Sequence, residues 1–143
     1  MLIGIKFASI YVMPAIRKKI LLIDDRGFCR ICSAFLKVVG FGMETCTYTM
    51  TGCKNPLPSF DHNKIGLIIT SYPYSHFILQ EIKKSRIPFI ILSDNIDNKL
   101  MRMLKGFTNS YCMIKPIDYQ KFRELVTDIM NGHSTAKKGF SIV

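Results

Sequence analysis

The chain has 143 residues, 48% of them hydrophobic, so a single packed domain is expected rather than a disordered chain. No apolar run approaches the roughly 18–20 residues of a membrane span, which excludes a membrane-spanning reading. Its 20 basic and 10 acidic residues give a formal charge of +10, which favours an acidic partner, a nucleic acid or an anionic surface and says nothing about fold.

The first stretch, residues 1–16, is apolar apart from Lys6 and lacks the charged start and small-residue cleavage site of a secretory signal. It reads as an N-terminal extension ahead of a domain over residues 17–131. Lys18-Lys19-Ile20-Leu21-Leu22-Ile23-Asp24-Asp25 opens that domain. Its apolar run suits a strand buried on both faces, ending in two adjacent carboxylates. Two neighbouring aspartates repel, so a metal or a lysine is expected beside them unless they form a solvated turn.

Phe28, Ile31, Cys32, Phe35, Leu36 and Val39 recur at helical steps, and Gly40 stops the helix. Cys29 and Cys32 form a C-x-x-C, a spacing used in redox and zinc sites, but Cys46, Cys53 and Cys112 supply no second pair. Buried apolar cysteine is the better reading. Five cysteines in a chain too large to need disulfide staples also point to a reducing, cytoplasmic compartment.

Met43–Tyr48 reads as a short strand, and Thr49–Asn63, with Gly52, Pro56 and Pro58, as a turn of helix and a loop. Ile65–Thr70 and Ile87–Leu92 are further buried strands, ending in Ser71 and Ser93. Tyr74–Lys84 and Ile96–Leu104 follow them as helices. Tyr111–Ile114 is a last strand before Lys115-Pro116. Asp118 caps a final helix with Phe122, Leu125, Val126 and Ile129 inward, and residues 132–143 read as a polar, basic tail.

Strands alternating with helices imply a parallel sheet covered on both faces. Polar residues stand at the strand ends: Asp24, Asp25, Ser71, Ser93 and Lys115. In a parallel sheet those ends share one edge, where ligands bind in open α/β sheets.

On these residues, Lys18–Met130 resembles a response-regulator receiver domain of the chemotaxis-regulator type, the phospho-acceptor module of two-component signalling. The motifs are Asp24-Asp25, Leu67–Pro73, Ser93 and Lys115-Pro116, and the spacing of Ser93 from Lys115 is also similar to the family's. The resemblance implies an α/β, doubly wound, flavodoxin-like sheet of five parallel strands in order 2-1-3-4-5, in a single domain. It makes Ser93 the switch hydroxyl, Lys115 (with Pro116) the pocket lysine and Asp25 a metal ligand.

The sequence departs from the family where the phospho-acceptor aspartate should stand, because that position is Ser71. A hydroxyl is a poor nucleophile without a base beside it, and Asp25 is the candidate for that base, without family precedent. The substitution also removes one metal ligand, leaving at best a weakened Mg²⁺ site at Asp25 and otherwise no cofactor. The expected state is an unreactive charge cluster with Lys115 between the two aspartates. One such pair at about 4 Å is worth on the order of 4 kcal/mol of raw Coulomb energy at an effective dielectric of about 20. The segment between Ser71 and Ser93 is shorter than in the family. Cys112 stands where an aromatic often precedes the lysine, with Tyr111 one residue earlier and so on the opposite sheet face.

The resulting expectation is a stand-alone pseudo-receiver that acts through protein–protein contacts without aspartyl phosphorylation. Its partner would be acidic and would dock on Lys99, Arg102, Lys105, Lys121 and Arg123. The alternatives are a small basic protein that binds nucleic acid or an anionic surface, and a phospho-switch that uses another carboxylate, Asp24, Asp25 or Asp94. No Gly-rich phosphate loop, nucleophile elbow or metal triad points to an enzyme.

Overall fold

The computed structural model describes residues 17–49, 52–53, 60–72, 78–107, 109–132 and 140–143. The strands are β1 (Lys19–Asp24), β2 (Met43–Thr49), β3 (Gly52–Cys53), β4 (Ile65–Ser71), β5 (Phe89–Ser93), β6 (Ser110–Ile114) and β7 (Phe140–Ile142). The helices are α1 (Arg26–Val38), α2 (Leu79–Ser85), α3 (Asn98–Leu104) and α4 (Tyr119–Met130). The sheet runs β3-β2-β1-β4-β5-β6-β7, and every pairing except β2 with β3 is parallel.

The five expected strands form in the expected order, because their unbroken apolar runs can be buried on both faces. Ile20 and Leu22 of β1 pack with Leu67, Ile69, Ile90 and Leu92 under α1 and α4. Leu21 and Ile23 pack with Ile68, Phe89 and Ile91 under α2 and α3. The two cores are the two faces of one sheet, separated by the two-residue period of the strand.

The helices begin and end at side chains suited to those positions. Asp25, Asp97 and Asp118 accept backbone N–H bonds at the starts of α1, α3 and α4. At the end of α1, Gly40 takes φ 102°, its N–H bonds Lys37 O, and Phe41 N–H bonds Leu36 O. This is a Schellman ending, closed by packing Phe41 and Leu36 into one core. The helix after β4 ends on Arg86 at φ 59°, a left-handed conformation that costs a non-glycine residue roughly 1–2 kcal/mol.

The structure corrects the sequence reading in three places. Ile31, expected in the buried stripe of α1, is 59% exposed. Cys29, Cys32 and Leu36 form the buried line, with Phe28, Phe35 and Val39 partly buried beside it. Part of the segment expected as a helical turn and loop is instead the strand β3, paired antiparallel to β2; residues 54–59 lie outside the described residues. The chain end, read as a basic tail, supplies β7, which pairs Phe140 with Ser110 and Ile142 with Cys112. The sheet therefore extends one parallel strand past β6. No helix among the described residues is long and apolar enough to cross a membrane.

Candidate functional site

Parallel pairing fixes which residues meet at the carboxyl edge. Ile23 pairs with Thr70, Ser71 with Leu92, and Leu92 with Met113. Paired residues share a face, so Asp24, Ser71 and Lys115 fall on the α1/α4 side. Ser93 pairs with Ile114 and falls on the other. The edge thus gathers the sequence-predicted residues but divides them between two faces.

At its centre is a buried hydrogen bond. The Ser71 hydroxyl donates to Asp24 Oδ2 at 2.5 Å, and the Asp25 backbone N–H donates to Asp24 Oδ1 at 2.7 Å. Asp24 is 0% exposed and Ser71 1%. Burial raises the Asp24 carboxyl above its ordinary value. The Ser71 hydroxyl opposes that rise most, followed by the Asp25 amide and then the Lys115 charge.

This order revises the expected cluster. Among the described residues no contact ion pair is formed by Asp24 or Asp25. Lys115 acts on Asp24 through space, its ammonium 6.0 Å from the centre of the Phe28 ring. The carboxylate is held by two neutral donors. Asp24, and not Asp25, receives the Ser71 proton donor, so Asp25 is not placed as its base. Phe28, read from the sequence only as a core residue, is also the aromatic neighbour of Lys115.

Asp25 instead serves the helix that follows it: its Oδ1 accepts the Phe28 N–H at 2.8 Å and caps α1. Ser93 is buried, and its hydroxyl donates to Asn95 O at 2.5 Å, tying down the loop before α3. Asp94 is exposed. Cys112 and Tyr111 are buried in opposite cores, so the aromatic one residue before Cys112 faces away from it. Pro116 follows Lys115 through a cis peptide bond.

Receiver folds imply a Mg²⁺ ion here, and the donor set does not fit one. Mg²⁺ takes octahedral oxygen ligands, usually one or two free carboxylates. Both Asp24 oxygens and one Asp25 oxygen already accept protein hydrogen bonds, and Ser71 offers a neutral hydroxyl that points its proton at Asp24. No group of three or more His, Cys, Asp or Glu residues among the described residues could hold a metal.

The cysteine pair is equally quiet. Cys29 and Cys32 are free and buried, with their thiols pushed up to about 11 and about 12, mainly by burial. A thiol that stays protonated is neither a nucleophile nor a ready metal ligand. The expected partner-surface residues Lys99, Arg102, Lys105, Lys121 and Arg123 are all exposed, on and after α3 and along α4.

No family model and no curated protein matches the sequence. Solved structures do. A response regulator receiver domain protein (CheY-like) from Methanospirillum hungatei superposes with a TM-score of 0.63 at 13% identity, covering 81% of this chain and 96% of that one. A response regulator receiver domain protein from Clostridium thermocellum has a TM-score of 0.60 at 25% identity, covering 80% of this chain and 95% of that one. A two-component response regulator from Clostridium difficile has a TM-score of 0.59 at 16% identity, covering 80% and 97%. With its strand order and its polar carboxyl edge, the chain has the fold of a response-regulator receiver domain.

Proposed function

We propose that this chain is a pseudo-receiver: a receiver fold that works in two-component signalling by protein–protein contact, without accepting a phosphoryl group. The observation that carries this reading is the buried Ser71–Asp24 hydrogen bond. In this reading Ser71 stands at the acceptor position, and its hydroxyl satisfies the neighbouring carboxylate. Burial supports the same reading: Ser71 and the carboxylate that accepts its hydrogen bond are both closed off from solvent, and so from a phosphodonor. The test is incubation with Mg²⁺ and acetyl phosphate, followed by intact-mass measurement. The expected product is unmodified protein. A labile acyl phosphate on Asp24, Asp25 or Asp94 would overturn the reading in favour of a switch on another carboxylate.

The contact surface in this reading is the basic side of α3 and α4. Lys99 and Arg102 stand three apart on α3, with Lys105 just past its end. The nearby acids are partly occupied, since Asp97 and Asp118 cap helices and Glu124 accepts from Gln120. Exposed apolar side chains, Met101 on α3 and Ile142 on β7, add the kind of surface that partners cover. That charge supports an acidic protein partner. Binding should weaken with salt, and charge reversal at Lys99 and Arg102 should cost more affinity than reversal at Lys83 and Lys84 on α2. Equal losses would favour diffuse attraction to a polyanion, to be settled by the salt slope against duplex DNA.

A further inference from the structure

The amino edge of the sheet, opposite Asp24 and Ser71, carries a cleft of about 820 Å³. Its rim is basic: Arg17 and Lys18 enter from the chain before β1, Arg86 from the turn after α2, and His62 from the turn before β4. No aspartate or glutamate is among the described residues that line it. Its floor is apolar, built from Phe41, Ile65, Ile87 and Ile129. Gly66 lets Lys18 and Met130 approach closely there, since a Cβ would stand 3.2 Å from both Lys18 Cβ and Met130 Sδ.

Of the rim cations, Arg17 is held by its side chain, and Arg86 stands at a left-handed backbone position. Arg17 donates to Gly40 O at 3.3 Å and lies over the Phe41 ring at 5.6 Å. Arg86 keeps a left-handed backbone, at φ 59°, in a position that glycine would occupy without strain.

We propose that this cleft binds a small organic anion with an apolar body. The volume falls within the roughly 300–1,000 Å³ of small-molecule sites. The floor rewards burial of a flat or aliphatic body, and the rim fixes the acidic head by charge-assisted hydrogen bonds. A bare inorganic anion would leave the floor unused, and a nucleic acid backbone would call for an extended basic stripe rather than a concave apolar floor.

The test is amide NMR on the full chain, titrated with anilinonaphthalene sulfonate, a probe that has one anion and a flat apolar body. Saturable shifts are expected at Gly66, Ile87 and Gly132. Arg86→Gly removes one cation and relieves the backbone, so the protein stays folded while the probe binds roughly three- to tenfold more weakly. Arg26→Ala, at the start of α1 on the opposite edge of the sheet, leaves binding unchanged. Unsaturable shifts scattered over the exposed helices, or Arg86→Gly binding as wild type, would overturn the site. Inorganic phosphate binding as well as the probe would overturn the apolar requirement. Shifts at the same amides from duplex DNA alone, with a steep salt dependence, would give the cleft to nucleic acid instead.

Discussion

The two edges of the sheet treat charge in opposite ways. At the carboxyl edge, where receiver folds do their chemistry, the polar groups answer one another: Ser71 serves Asp24, Asp25 serves α1, and Ser93 serves Asn95 O. At the amino edge, Arg17, Lys18 and Arg86 line a cleft with no carboxylate among its described lining residues. The comparison teaches that, under the proposed reading, one side chain is enough to turn a receiver fold's reactive edge into a structural joint. A hydroxyl in place of a carboxylate converts repulsion with Asp24 into a hydrogen bond.

The largest expected effect comes from breaking that joint. Ser71→Ala leaves a fully buried carboxylate with the Asp25 amide as its one neighbouring donor. It should cost about 2–3 kcal/mol, or roughly 6–12 °C in melting temperature. The loss should shrink in acid, where a protonated Asp24 has less charge to leave unsatisfied. A loss below about 0.5 kcal/mol at neutral pH would mean that Ser71 is a bystander.

A second change acts on the carboxylate itself. The folded-state value of Asp24 is raised, so above the ordinary carboxylate range the folded protein holds a proton that the unfolded chain has released. Stability from this group therefore falls as pH rises through that window, and the cost is complete above the folded value. Asp24→Asn keeps an acceptor for the Asp25 amide and can donate to Ser71 Oγ. It should stabilise the protein at neutral pH and remove this part of the pH slope in denaturant titrations. A destabilised variant with an unchanged slope would show that the charge on Asp24 is stabilised by its surroundings.

Smaller effects separate hydrogen bonding from ion pairing, and one edge from the other. Lys115→Ala should cost less than about 1 kcal/mol, because a partly exposed lysine acting through space is worth less than a buried donor. A cost matching that of Ser71→Ala would restore the ion-pair cluster expected from the sequence. At the amino edge, Arg86→Gly should gain roughly 0.5–1 kcal/mol by relieving the left-handed backbone. A stability loss in chemical denaturation would mean that the arginine side chain holds the fold there.

Much of the fold is legible in the sequence because its signals are local. Ile20–Ile23, Ile65–Ile69 and Phe89–Leu92 are apolar with at most one small interruption, and few environments other than a doubly covered parallel strand suit them. Ile31 is misplaced by periodicity because α1 offers two overlapping apolar lines, and which one is buried depends on how the helix rolls on the sheet. The line of Cys29, Cys32 and Leu36 is the buried one, leaving Ile31 outside. β7 escapes a sequence reading because a three-residue segment beyond a basic stretch has no periodicity to read. Its strand character comes from pairing with β6.

The site is legible only in outline. The strand ends name Asp24, Ser71, Ser93 and Lys115 as residues of one edge, since topology alone brings them there. Their division between two faces depends on register, and the Ser71–Asp24 bond depends on a side-chain rotamer. Neither leaves a mark in the spacing of residues. Asp25 is a similar case: a carboxylate before a helix reads equally as a ligand or as a cap, and the geometry makes it a cap.

The central claim is that Ser71 closes the reactive edge, and parallel Mg²⁺ titrations of the wild type and Ser71→Asp, read by thermal unfolding, test it most directly. The variant sets a second carboxylate against buried Asp24, so it should melt lower without metal and recover as Mg²⁺ supplies the missing positive charge. The wild type should show no shift over the same range. A wild-type melting temperature that climbs with Mg²⁺ as steeply as that of the variant would contradict the account.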